Sequence, residues 1–207
     1  MASVLPALVF LGYLLFKLLK CFDLRRRLRL AHDAELAVGQ ELNHLMSRGY
    51  QVYHDFPAPR FNIDHILVGP AGVFAVETKA RTKRMTGNGK GDAEVIYDGQ
   101  CLMFPGWVEK RPLDQAADQA SWLRKWLSSA VGESVDVRAV VTLPGWCVKR
   151  SSPQGILVIN PKNFRTFLTR SRNTTLSDSM IQRIAHQIEQ RCRDVEPKAY
   201  PAEPRPM

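Results

Sequence analysis

The 207-residue chain has few cysteines, and those it has form no recognisable pattern. Cys21, Cys101, Cys147 and Cys192 lie far apart, with no CxxC pair and no Cys/His cluster. A structural zinc site or a redox dithiol requires close spacing of such ligands, so both kinds of site are excluded. Because the amino terminus has no features of a removable signal peptide, we expect four reduced thiols in a cytosolic body.

Acidic residues are scarce at the amino terminus. Residues 1–30 contain six bases and a single acid, Asp23, so this segment carries +5 of the total net charge of +9. Only +4 is left for the other residues. The net charge therefore does not indicate a generally basic surface that binds nucleic acid.

The chain also lacks an apolar run of the usual membrane-spanning length. Residues 4–19 are interrupted only by Lys17 and fall short of the roughly 20 residues that cross a bilayer. Lys17 and Lys20 can extend their ammonium groups toward lipid headgroups, and a bilayer can thin locally around a short span. The bases follow the apolar run, which suits a membrane anchor better than a secretory signal.

These features predict a single-pass transmembrane anchor over residues 1–22 and a basic juxtamembrane segment over residues 23–32. By the positive-inside rule, the protein would lie in the inner (cytoplasmic) membrane with its domain facing the cytoplasm. The alternative is that residues 4–19 form a buried helix of a soluble fold.

The remaining sequence alternates between helical and extended patterns. Helical spacing continues from Leu24 to about Arg48, and three extended runs follow over residues 50–55, 61–68 and 72–79. Further extended runs at 94–97, 100–104, 135–143 and 155–159 are combined with helices at 112–128, 161–169 and 177–191. We predict an α/β domain over residues 33–192 with a mixed sheet, and a proline-rich disordered tail over residues 193–207.

Two neighbouring strands carry acids where a half-buried sheet usually carries apolar residues. Strand alternation places Glu77 and Lys79 on one face, and a hairpin turn at Pro70 would bring Asp64 opposite residues 76–78. Two carboxylates and an ammonium group at a strand end suit a hard divalent cation such as Mg²⁺. Such an ion would acidify a water molecule and neutralise charge on a phosphodiester, while Lys79 orients or deprotonates the water.

The string IDHILVGPAGVFAVETK, residues 63–79, resembles the core of the NERD (nuclease-related domain) family. Asp64 followed by Glu77-Thr78-Lys79 is similar to the signature of the PD-(D/E)XK nuclease superfamily. The likeness extends over about residues 33–145 and includes Glu35 with the apolar residues that follow it, residues 49–55, and Pro112 to Gln115. Ile63 stands where the superfamily name has proline, a departure that NERD members commonly share.

The resemblance implies a restriction-endonuclease-like mixed sheet flanked by helices, and a role for each matching residue. Asp64 and Glu77 would bind Mg²⁺ or Mn²⁺, with Glu35 helping to hold or orient the metal, and Lys79 would be the catalytic lysine. Gln115 would support the site or the substrate from the following helix. Glu41 is also available as the helix acid, but Glu35 fits the register of the motif.

Several of these residues also have structural explanations. Glu77 and Lys79 could be a solvent-facing pair, Asp64 could bond local amides at a turn, and Gln115 could be exposed on its helix. His65 lies on the strand face opposite Asp64 and is expected to be a core histidine.

A basic, glycine-containing segment follows Lys79 and contains no acid between residues 79 and 90. Such a loop beside a metal site could contact a nucleic-acid backbone without reading its sequence, or could simply be solvated. The nucleic-acid-binding residues predicted here are Arg81, Lys83, Arg84 and Lys90.

The sequence therefore predicts a membrane-anchored, metal-dependent nuclease that hydrolyses phosphodiester bonds in nucleic acid, with DNA as the expected substrate. The first alternative is a catalytically inactive module on the same fold that binds nucleic acid or a protein partner. A second alternative is an adaptor at the membrane surface whose basic segment docks on acidic lipid.

Overall fold

The computed structural model describes residues 4–83, 93–170 and 176–193. The disordered tail predicted for residues 193–207 falls, from residue 194 on, outside the described residues. Within them the chain is a mixed α/β fold with two sheets and flanking helices. All four cysteines are free, as the sequence predicts.

A single long helix opens the chain. Helix α1 covers Val4–Asn43, so the helical pattern from Leu24 is continuous with the apolar segment before it. At about 1.5 Å per residue this helix is about 60 Å long. Only its carboxyl-terminal part enters the core, through the buried side chains of Ala34, Val38 and Leu42.

The amino-terminal part of α1 bears on the predicted anchor. Among the residues that the structure describes, no helix is long and apolar enough to cross a membrane. Lys17 and Lys20, followed by Asp23 and the arginines from Arg25 on, break the apolar sequence of the helix. The transmembrane anchor predicted for residues 1–22 is therefore not supported.

In the described part of the chain, nine strands and three helices follow α1, and the bounds of the strands agree with the extended runs of the sequence where those runs are long. The strands are β1 (Gln51–Pro57), β2 (Asn62–Gly69), β3 (Gly72–Thr78), β4 (Glu94–Tyr97), β5 (Leu102–Phe104), β6 (Trp107–Glu109), β7 (Val137–Thr142), β8 (Cys147–Arg150) and β9 (Leu157–Ile159). The helices are α2 (Arg111–Val131), α3 (Phe164–Arg170) and α4 (Asp178–Arg193). The predicted elements are present, and β6 and β8 are additional.

The strands form two sheets instead of the one predicted. The larger sheet has the order β1-β2-β3-β7-β9, with antiparallel pairs β1/β2 and β2/β3 and parallel pairs β3/β7 and β7/β9. The smaller sheet has the order β6-β5-β4-β8. The short strands β6 and β8 complete this second sheet, and because each has only three or four residues, neither produces a clear alternating pattern.

Helices cover both faces of the larger sheet. Helices α2 and α4 pack on one face against Ile66, Val73 and Ala75. Helix α1 packs on the other face against Leu67, Phe74 and Val76. Trp122 and Trp126 stack in parallel on α2 and pack against Phe56, so these two indoles are part of the core.

Candidate active site

The hairpin of β2 and β3 brings the predicted acids together. Its antiparallel register places His65 opposite Val76, and so sets Asp64 beside Glu77. The backbone N–H of Thr78 donates a hydrogen bond to Oδ2 of Asp64 at 2.7 Å. Gly69 and Gly72 pair at the end of the ladder, because Pro70 and Ala71 make the turn predicted from the sequence.

Glu77 is almost completely buried, with 1% of its surface exposed. Nζ of Lys79 forms an ion pair with its Oε1. Nε2 of Gln119 donates a hydrogen bond to its Oε2 at 2.6 Å. Both carboxylate oxygens of Glu77 are therefore engaged, one by a cation and one by an amide.

Asp64 sits in a setting that disfavours its charge. Burial, and then the nearby carboxylate of Glu77, raise the pKa of Asp64 to about 7, although the Thr78 amide opposes this. Two carboxylates side by side, one buried and one half-buried, repel each other, and a cation between them relieves that repulsion. This electrostatic arrangement is what a site for a hard divalent ion requires.

Glu35 on α1 belongs to the same electrostatic environment. Burial, followed by the carboxylate of Asp55, raises the pKa of the Glu35 side chain. Glu77 acts in the same direction and Lys79 in the opposite one. The structure thus places Glu35 near the acids of β2 and β3, as the sequence motif predicts.

Asp55 is a fourth acid that the sequence analysis missed. It lies between His54 and Phe56, which are opposite His65 and Ile63 respectively, so the register sets it across from Asp64. Its φ of 51° is unusual for a residue other than glycine. The sequence predicted that Asp55 lies in a strand, but it did not indicate the positive φ that orients this residue.

The second helix contributes a different glutamine from the one predicted. Gln119, one turn beyond Gln115, is 1% exposed and contacts Glu77 and the backbone carbonyl of Asn62. Gln115 is only half-buried. A signal for Gln119 was present, because it occupies a position on the apolar stripe of α2 with Ala116 and Leu123.

The four residues predicted to bind nucleic acid differ in their surroundings. Arg81 forms a two-bond ion pair with Glu109 on β6, through Nε at 2.8 Å and through its Nη2. Its charge is therefore compensated within the fold. Lys83 is exposed, and Arg84 and Lys90 lie outside the described residues.

His65 occupies the face of β2 that is opposite Asp64. It is 3% exposed, and its Nδ1 lies 2.8 Å from Nδ1 of His54. Burial and then His54 lower the pKa of His65 to about 4, so this histidine is neutral at physiological pH. The core role predicted for His65 agrees with this position.

The four acids do not form a closed metal cage. Within the described ranges, no three His, Cys, Asp or Glu side chains lie close enough together to hold a metal ion. Mg²⁺, however, commonly uses one or two carboxylates and completes its shell with water. Asp64 and Glu77 therefore fit the chemistry of a magnesium site with two protein carboxylates.

Comparison with known proteins gives one match. The family model described as NERD, nuclease-related domain, matches residues 30–144, which is more than half of the chain. No curated protein and no solved structure matches the chain. The matched segment begins in α1 and includes Glu35, Asp64, Glu77, Lys79 and Gln119.

Proposed function

We propose, from the premise that the chain belongs to the NERD (nuclease-related domain) family of the PD-(D/E)XK-like nuclease superfamily, that it hydrolyses phosphodiester bonds in nucleic acid, with DNA as its substrate. The observation that carries the proposal is the juxtaposition of the half-buried Asp64 and the buried Glu77, with Lys79 on the Glu77 carboxylate. A purely structural ion pair would not need the second acid.

Asp64 and Glu77 would hold Mg²⁺ or Mn²⁺, with Glu35 supporting the ion from α1. When bound, the ion would supply positive charge for the phosphodiester and would lower the pKa of an attacking water molecule. Thr78 fixes the orientation of Asp64, and Gln119 fixes that of Glu77. Both carboxylates are therefore held in place before any ligand arrives, which lowers the cost of organising the site.

Lys79 has two tasks in this proposal. In the described state it neutralises Glu77. If Glu77 held a cation, the Lys79 ammonium group would be available, from its half-buried position, to orient a water molecule or contact a phosphate oxygen. Lys79 would then serve substrate binding as well as the stability of the fold.

A second candidate function rests on a specific observation. Glu77 is already satisfied by Lys79 and Gln119, and the described residues form no closed metal cage. A module that binds nucleic acid or a protein partner without cleaving anything would have the same features. Localisation at the cytoplasmic membrane stays a prediction from residues 1–30 in either case.

The test is cleavage of single-stranded, duplex and branched DNA, and of RNA, by the full chain in Mg²⁺ or Mn²⁺. We expect cleavage by the wild type, loss of cleavage in Asp64→Asn and Lys79→Met, and full activity in the control Asp114→Asn, an exposed acid of α2. If a folded wild type cleaves none of the substrates but binds nucleic acid equally well in all variants, the binding module is the correct function.

A further inference from the structure

A cavity lies at the opposite end of β7 from the acidic site. Its volume is about 440 Å³, and it is bounded by α2, by the start of β7, by the segment before β9 and by α3. The lining residue of β7 nearest the acidic site is Ala139, whereas that site borders Thr142, three residues along the strand. At about 3.3 Å per residue this separates the two by about 10 Å.

Of the residues that the structure describes, three arginines and no acid line this cavity. Arg124 forms an ion pair with Asp136 at 2.9 Å, and Asp136 lies outside the lining. Arg138 and Arg150 form no ion pair with any residue that the structure describes. Asp136 therefore acts on both Arg124 and Arg138, and this single carboxylate balances only part of the positive charge of the three arginines.

The guanidinium groups are held in place by neutral partners. Arg138 lies 4.2 Å from the ring centroid of Phe74 and donates a hydrogen bond to the carbonyl of Ala71. Arg150 donates to the carbonyls of Ser152 and Gln154. Neutral acceptors fix the position of a cation but leave its charge available to an anion.

The rest of the lining is largely apolar. Phe74 and Phe167 meet edge to face with their centroids 6.3 Å apart, and Ala117 contributes a small side chain from α2. Apolar walls with a few fixed polar groups, at a volume of this size, are typical of small-molecule sites. The apolar walls can pack against the apolar part of a ligand, while the arginines can bind its negatively charged group.

We propose that this cavity binds a small organic anion, a molecule with one phosphate or carboxylate group on an apolar or aromatic body. The anionic group contacts Arg138 and Arg150, with Arg124 at the rim, and the apolar body packs against Phe167 and Ala117. The site is independent of the phosphodiester chemistry, because it lies at the other end of the sheet and shares no side chain with it.

The test is calorimetric titration of the full chain with 1-naphthyl phosphate, compared with inorganic phosphate and with 1-naphthol. We expect 1-naphthyl phosphate to bind one site per chain, at least about tenfold tighter than either fragment, because only it uses both parts of the cavity. Ala117→Phe fills the cavity from an exposed helix position and should abolish binding.

Charge variants test the arginines separately. Arg138→Gln and Arg150→Gln should each weaken binding of 1-naphthyl phosphate about tenfold, because a hydrogen bond to a charged group is lost. Arg150→Lys should retain most of the affinity, and Arg165→Gln, an exposed arginine of α3 outside the lining, should change nothing. Unchanged melting temperatures establish that these variants fold.

Three results would overturn the proposal. The first is no binding of 1-naphthyl phosphate to the folded wild type, and the second is equal binding to wild type and Ala117→Phe. The third is binding of an oligothymidylate, sensitive to Ala117→Phe, in place of 1-naphthyl phosphate, which would assign the cavity to nucleic acid. None of these results depends on whether the chain cleaves DNA.

Discussion

Asp64 and His65 are neighbours in the chain, yet the fold shifts their pKa values in opposite directions. Asp64 lies beside Glu77 and has its pKa raised to about 7, whereas His65 packs against His54 and has its pKa lowered to about 4. Burial is the larger cause in both cases, because it disfavours whichever form carries the charge. Strand alternation thus separates an acidic site from a neutral core position within two residues.

The pKa of Asp64 makes a prediction about stability in the absence of divalent cations. Between about pH 4 and pH 7 the folded state keeps a proton on Asp64 that the unfolded state releases, so this residue lowers stability as pH rises. Asp64→Asn keeps an acceptor for the Thr78 amide but cannot titrate. Relative to wild type, the variant should gain on the order of 2 kcal/mol from pH 5 to pH 8.

Urea denaturation in the presence of EDTA measures this difference at each pH. The slope from His65, which has the opposite sign, cancels because both proteins contain that residue. The exposed Asp114→Asn serves as control. A difference between wild type and Asp64→Asn that is independent of pH would contradict the electrostatic description of the site.

The contact between Gln119 and Glu77 makes a second prediction. Gln119→Ala removes a buried donor and leaves one oxygen of Glu77 without a partner, so the free energy of unfolding should fall by about 1–3 kcal/mol. Gln115→Ala, one turn away and half-buried, should cost less than about 0.5 kcal/mol. Urea denaturation of the two variants measures both values, and equal losses would show that Gln119 has no special contact.

The residues of the site show how far the sequence could lead. Asp64 and Glu77 could be paired from strand alternation and the turn at Pro70, because antiparallel register follows from local pattern. Gln119 could have been chosen over Gln115 from its position on the apolar stripe of α2, but no pattern in the sequence places that stripe against Glu77. Asp55 could not be found, because its positive φ is set by tertiary context.

Helix α1 is divided into two parts with different physical roles. From Ala34 on, its buried side chains pack on the larger sheet, and Glu35 reaches the acidic site. Apolar residues before that point are exposed, among them Phe10, Leu15 and Phe22. The sequence predicted a helix from Leu24 to about Arg48, but its periodicity did not show where the helix joins the core.

This division predicts the effect of shortening the chain. Removal of residues 1–30 should change the melting temperature by no more than about 2 °C, because the side chains described from residue 8 to residue 30 are exposed. Leu42→Ala should lower the free energy of unfolding by about 2–5 kcal/mol, because Leu42 is fully buried. Calorimetry of both proteins checks the contrast, and a large loss on truncation would contradict it.

The second sheet is the element that the sequence missed. Its strands β5, β6 and β8 have three or four residues each, too few to establish a period of two. Trp107 stacks on Phe104 at 4.7 Å, and Trp146 donates a hydrogen bond to the carbonyl of Arg81. These contacts attach the small sheet to the segment after Lys79, and no pattern in the sequence predicts them.

On the scale of the whole molecule, positive charge is concentrated away from the acidic site. Residues 1–30 carry +5 of the net +9, on the part of α1 that is outside the core. Near the site, Arg81 is neutralised by Glu109. Net charge therefore supports binding of polyanions less than its total value would indicate.

The charge distribution predicts how removal of residues 1–30 affects the binding and cleavage of DNA. Without residues 1–30, affinity for duplex DNA at low salt should fall, and the dependence of log Kd on log salt concentration should become less steep, because each phosphate contact contributes a slope of about 0.9. The cleavage rate at saturating DNA should be unchanged, because the acids lie in the retained part. Fluorescence anisotropy at several salt concentrations and single-turnover cleavage test the two statements, and a lost cleavage rate in a folded fragment would contradict the second.

We propose that Asp64 and Glu77 bind a divalent cation for phosphodiester chemistry. The melting temperature of the chain, measured during a titration with Mg²⁺ at pH 7.5, tests whether they do. An ion that binds only the folded state stabilises it in proportion to RT ln(1 + [Mg²⁺]/Kd). We expect the melting temperature of the wild type to rise with Mg²⁺ concentration, while that of Asp64→Asn stays constant. An equal rise in both proteins, or none in the wild type, would contradict it.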